Sequence, residues 1–146
     1  HAINYLKNIN YEYIAYIRPT TPQRNVKDID KAIKTFSLSK HHSLRSVHEM
    51  TETSYKSLEI FEKNKLKAIA NLKLSLDDLN KPRQFFKKTY TGNGVIDIFR
   101  KNFILKNKKL CGNKVMPYLT AYTEEIDTLS QFWYINFLLK KVNKKN

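Results

Sequence analysis

The sequence predicts an all-α fold: a bundle of four main helices, one of them a long central helix over about 44–79, plus a short helix over about 94–105. Three observations point there. Only three glycines and four prolines occur in 146 residues, too few for the many turns of a sandwich or barrel. Apolar residues recur at steps of three and four over long stretches, the period of a helix with one buried face. Lys, Glu and Leu, all good helix formers, fill much of the central stretch.

Taken in order, residues 2–17 place Ala2, Leu6, Ile9, Tyr13, Tyr16 and Ile17 on one helical face. That helix stops before the connector "RPTTPQR", where Pro19 pushes Arg18 out of the α region and Pro22 stiffens the residues beside it. Asn25 is suited to cap a second helix, with Asp28 and Asp30 favourable in its first turn. Val26, Ile29, Ile33 and Phe36 form its apolar face. The polar loop "SLSKHHS" leads to Ser43, a cap for the central helix. Its face reads Val47, Met50, Ser54, Leu58, Phe61, Lys65, Ile69, Leu72, Leu76 and Leu79, with no Gly or Pro between them.

Pro82 ends that helix or starts a short new one, and "TGNG" at 91–94 reads as the clearest turn in the chain. "VIDIFRKNFIL" suits a helix or a strand, and helix is preferred because no strand partner is evident. "KNKKLCGNK" is a basic loop. Pro117 opens the last helix, with Leu119, Tyr122, Ile126, Leu129, Trp133 and Phe137 as its core face and Trp133 packed on the central helix. Its acidic start and lysine-rich end suit the helix dipole. No internal repeat is present, and a chain of this length fits one domain, 1–146.

The net charge of +14 comes from 22 Lys against five Arg, beside 14 Asn. Lys and Asn excess is what an AT-rich genome produces, and phosphate or base readers lean on the planar fork of Arg. The charge predicts attraction to polyanions without specifying a nucleic-acid function. Cys111 is the one cysteine, so an intramolecular disulfide and Cys₂His₂ zinc sites are excluded. A first residue that is His rather than Met fits a processed, mature, even secreted form, or a trimmed one. No apolar run reaches membrane length.

Candidate chemistry is sparse. His41, His42 and His48 lie near Glu49 and Glu52, but "HEMTE" lacks the second His of H-E-x-x-H, and no metal site is expected. Cys111 sits beside Lys108, Lys109 and Lys114, yet no base is close in sequence, so an ordinary thiol is expected. "TGNGV" lacks the features of a phosphate loop. With no nucleophile, base and orienting group assembled, the chain reads as a non-enzyme without a cofactor.

The closing stretch "QFWYINFLLKKVNKKN" joins an aromatic run to four lysines. It is too short to span a membrane. A buried helix end is the expectation, with an interfacial or partner-binding surface as the alternatives. Together these features predict a non-catalytic basic helical module that binds an acidic protein partner through a helical face or groove. Its candidate contacts are Lys106, Lys108, Lys109, Tyr134, Lys140, Lys141, Lys144 and Lys145. The alternative is nucleic-acid binding through lysines interleaved with aromatics, as where Lys87 and Lys88 come directly after Phe85 and Phe86. A homo-oligomer is compatible with either.

Overall fold

The computed structural model describes residues 2–6, 8–70 and 74–143, with side chains through residue 140. The fold is α+β, which overturns the all-α bundle: six strands form two sheets, with about 33% helix and 26% strand. The elements run α1 (Ala2–Tyr5), β1 (Tyr13–Tyr16), α2 (Val26–Ser37), β2 (Ser43–Glu49), β3 (Leu58–Phe61), β4 (Lys65–Ala68), β5 (Tyr90–Arg100), α3 (Lys101–Asn107), β6 (Val115–Leu119) and α4 (Leu129–Asn143). They divide into two compact units, residues 1–48 with 92–146, and residues 49–91.

The larger unit is built on a sheet of order β1-β5-β2-β6. β1 runs antiparallel to β5 with Tyr13 opposite Arg100. β6 runs parallel to β2 with Ser43 opposite Val115. β2 and β5 are joined where the Arg100 N–H donates to the His42 carbonyl at 3.2 Å and the Ile96 N–H donates to the buried Ser46 hydroxyl at 3.0 Å. Going up β2 therefore means going down β5. Helix α2 covers one face, and Ala32 and Phe36 meet Leu44, Val95, Ile96 and Ile98 in the core.

Of the expected helices, α2 is the one found where the sequence placed it. The Asn25 side chain accepts the Lys27 N–H at 2.9 Å, the cap expected of it. The face is rotated from the expected one: Ile29, Ala32 and Phe36 point inward, while Val26 is 70% exposed. The far end of α2 is fastened by Arg100. Its guanidinium lies between the rings of Tyr13 and Phe36, at 5.2 and 4.9 Å, and donates to the carbonyls of Phe36, Ser39 and His41.

The other helices are corrected. Among the described residues of the first, only Ala2–Tyr5 is helical, and "YIAY" is β1, aromatic and β-branched as a half-buried strand prefers. The central helix over 44–79 is absent among the described residues, and Leu72 lies outside them. In its place β2 has period two, with Leu44 and Ser46 buried and Arg45 between them exposed. "TGNG" is no turn but lies inside β5. Gly94 has φ 65°, and a Cβ there would stand 2.7 Å from the Thr21 hydroxyl, so the glycine permits close approach of distant chain.

Residues 94–105 divide between β5 and α3, because β1 and β2 supply the strand partners that the local sequence does not reveal. Pro117 sits in β6, an edge strand, where a missing N–H is tolerated. Helix α4 begins twelve positions later than expected, at Leu129. Thr128 and Gln131 bond reciprocally: the Gln131 N–H donates to Thr128 Oγ1 at 3.3 Å and the Thr128 N–H to Gln131 Oε1 at 2.8 Å. This is a capping box, and "TLSQ" before an apolar run was its legible signal.

In the smaller unit β3 and β4 form a hairpin in which Leu58 faces Ala68 and Ile60 faces Leu66. The chain reverses without glycine, at Glu62 and Lys63, whose φ values are 46° and 65°. Glu59 and Lys67 pair across the strands at 2.7 Å. Among its described residues the unit also carries three short 3₁₀ turns, the last of them, Arg83–Phe85, starting directly after Pro82.

In the turn Asp77–Asn80, Asp78 accepts a hydrogen bond from Lys81 Nζ, and the hydroxyl and backbone N–H of Ser75 donate to it as well. These donors hold the Asp78 carboxyl down to about 2, against an ordinary 3.8. A depressed carboxylate pKa favours the folded turn at neutral pH, and that contribution fades as pH falls from the ordinary carboxylate range toward 2. Carbon-13 NMR titration should place the Asp78 midpoint near 2, and Ser75→Ala should move it up. A midpoint at the ordinary value in the parent would show that the turn does not form.

Candidate partner-binding surface

Helix α4 is amphipathic in an unusual sense. Gln131 and Leu138 are half-buried and Ile135 is buried, and these positions lie on one side of the helix. The rest of the circumference is largely apolar and exposed: Leu129, Phe132, Trp133, Tyr134, Phe137 and Leu139. Trp133 is 61% exposed, which corrects the expectation that it packs in the core. Its ring meets Phe132 edge-on at 5.4 Å. The run is apolar on nearly all sides as the sequence showed, yet the helix is seated through a narrow seam. The wide apolar arc therefore meets solvent.

The candidate residues fall on separate elements. Tyr134 and Lys140 are exposed on α4. Lys141 has its backbone in α4 and its side chain outside the described residues, as Lys144 and Lys145 are entirely. Lys106, Lys108 and Lys109 are exposed at the end of α3 and in the loop after it. Lys108 adopts the left-handed conformation there, its N–H donating to the Ile104 carbonyl at 2.8 Å, a helix stop without glycine.

Two of the three candidate histidines, His42 and His48, are drawn into packing. His42 stacks on Phe103 at 4.2 Å, and His48 meets Tyr122 edge-on at 5.0 Å. Gly112 lies so close to the first pair that a Cβ would stand 2.5 Å from Phe103. Among the described residues no group of three or more His, Cys, Asp or Glu side chains is placed to hold a metal. Cys111 is a free, half-buried thiol whose carbonyl accepts from the Ser43 hydroxyl at 2.9 Å.

Two basic residues of the smaller unit, Arg83 and Lys88, meet at Glu49. Its carboxylate receives Arg83 and Lys88, each at 2.7 Å. The hydrogen bond from Lys88 holds the Glu49 carboxyl below its ordinary range, and the same bond raises the Lys88 ammonium. The ring faces nearby are covered by the unit's own groups. Lys81 lies over Phe85 at 4.5 Å, Lys56 over Phe86 at 5.6 Å, and Tyr55 stacks on Phe86.

No family model matches the chain, and no curated protein matches it. No helix among the described residues is long and apolar enough to cross a membrane.

Proposed function

We propose that the chain is a non-catalytic binding module whose α4 docks an acidic protein partner. The observation that supports this reading is the exposed aromatic arc of α4, with Trp133, Tyr134 and Phe132 beside Lys140. Trp and Tyr carry much of the binding energy where proteins meet, because they bury large rigid surfaces at little entropic cost. A net charge of +14 favours an acidic surface opposite and raises the rate of encounter.

A nucleic-acid groove at Phe85 and Phe86, the other candidate, is less well supported. A stacking groove needs bare ring faces and unpaired cations. Around Phe85 and Phe86 the rings carry lysines, and Arg83 and Lys88 are engaged by Glu49.

Trp133 is the one tryptophan, so its fluorescence reports on α4 alone. Emission should be that of a wet indole in the isolated protein. It should stay so with anionic phosphatidylserine vesicles and with oligothymidylate at about 0.15 M salt, where free charge is screened beyond roughly 8 Å. Capture from native lysate should retain an acidic protein with the parent and not with a folded Trp133→Ser variant. The purified partner should then shift the emission to the blue. A blue shift with vesicles or oligonucleotide at that salt would overturn the reading, as would a partner retained equally by the variant.

A further inference from the structure

The sheet face opposite α2 carries a feature that the binding reading does not use. Successive strand residues point to opposite faces, so Ile96 and Ile98 enter the core while Asp97 and Phe99 point away from it. Ile14 and Tyr16 of β1 share that second face. With α1 and α3 these residues wall a cleft of about 440 Å³. Its size falls in the range of small-ligand pockets, roughly 300–1,000 Å³.

Most of the wall is apolar, with Ile14, Phe99, Ile104 and Leu110 contributing. Three charged side chains converge on it: Asp97, Arg45 and Arg18. The Asp97 side chain is only 6% exposed, and among the described residues its one side-chain partner is Arg45 Nε at 3.3 Å. A buried carboxylate is costly unless paired, so strand β5 gives up an apolar position to hold a guanidinium. Arg18 is held in the same way, by Glu125 at 3.3 Å.

A guanidinium has five N–H donors. Arg45 and Arg18 each give one of theirs to a carboxylate, which fixes the group and leaves the other donors for whatever enters. A cation would meet two guanidiniums and a carboxylate already engaged. An anion would find matching donors above an apolar wall. We propose that this cleft binds a small apolar carboxylate, its hydrocarbon against Ile14, Phe99 and Leu110 and its head on Arg18 and Arg45.

Calorimetric titration with decanoate, below the concentration where it self-associates, tests this. One molecule per chain should bind, and binding should persist at about 0.15 M salt. Decanol, decylamine and acetate should each bind at least about tenfold more weakly, a difference of about 1.4 kcal/mol. Arg18→Gln should weaken decanoate by a similar factor, and so should Leu110→Glu, which sets a like charge in an exposed position at the mouth. Both changes spare the buried Asp97–Arg45 pair, and circular dichroism confirms that each variant is folded. Equal binding of decanol or decylamine would overturn the assignment of the head group. Equal binding of acetate would show surface charge alone. No binding of decanoate, or unchanged binding in both folded variants, would overturn the site.

Discussion

Phe36→Ala should lower the melting temperature by roughly 6–20 °C. The side chain is fully buried, at the centre of the contact between α2 and the large sheet. Truncating a buried Phe costs about 3–5 kcal/mol, through lost transfer energy and the cavity left behind. In a chain of this size each kcal/mol moves the midpoint by about 2–4 °C. The loss also removes one of the two rings that hold the Arg100 guanidinium, so the upper part of the range is the expected outcome. A calorimetric shift under about 3 °C would mean that α2 is not seated on the sheet through this side chain.

Arg100→Lys is the second large effect, and its size runs against the usual view of that exchange. The planar guanidinium does two things at once. It stacks between Tyr13 and Phe36, and it donates to three carbonyls that end α2 and begin the next loop. A lysine ammonium is a point charge on a flexible stem and cannot take both roles. Hydrogen bonds from charged groups contribute about 1.5–3 kcal/mol each, and a buried carbonyl left unpaired costs about 1–3 kcal/mol. A destabilisation of about 2–4 kcal/mol is expected for Arg100→Lys, close to that for Arg100→Met. Amide exchange should quicken most at Ser37, Leu38 and Ser39. If the lysine variant melts with the parent, charge alone suffices and the fork is dispensable.

What was legible in the sequence is local. Asn25 caps α2 by accepting a bond two residues on, and the pattern from Ile29 to Phe36 needs only the helix itself. The Thr128–Gln131 box that starts α4 was equally local, but an earlier proline drew the boundary away from it. The false central helix arose because steps of three and four were completed with Ser54 and Lys65, which are polar. Its lysines and glutamates are good helix formers, yet Glu59 and Lys67 serve as a cross-strand pair instead. The hairpin reverses through Glu62 and Lys63 in a left-handed conformation that no glycine advertises.

The rest depended on partners far along the chain. "VIDIF" offers a strand nothing to pair with nearby, and "TGNG" looks like a turn until Thr21 is brought against Gly94. The candidate residues of α4 were legible as composition and not as exposure. An apolar run is buried or exposed according to how wide a seam receives it, and Trp133 fell on the outside. The cleft residues Arg18, Arg45 and Asp97 carried no motif, because three separate segments bring them together.

The register of the large sheet also sets an order of events as the chain folds. Tyr13 pairs with Arg100 and Ser43 with Val115, so its ladders join distant segments, and such closures form more slowly than local ones. The β3–β4 hairpin needs no distant partner and can close in about 1–10 μs. On a ribosome, β1, α2 and β2 emerge long before β5 and β6. Until β5 appears between β1 and β2, each has a bare edge, and the apolar side of α2 has no sheet to cover. The core of the larger unit therefore stays open until β5 has been made.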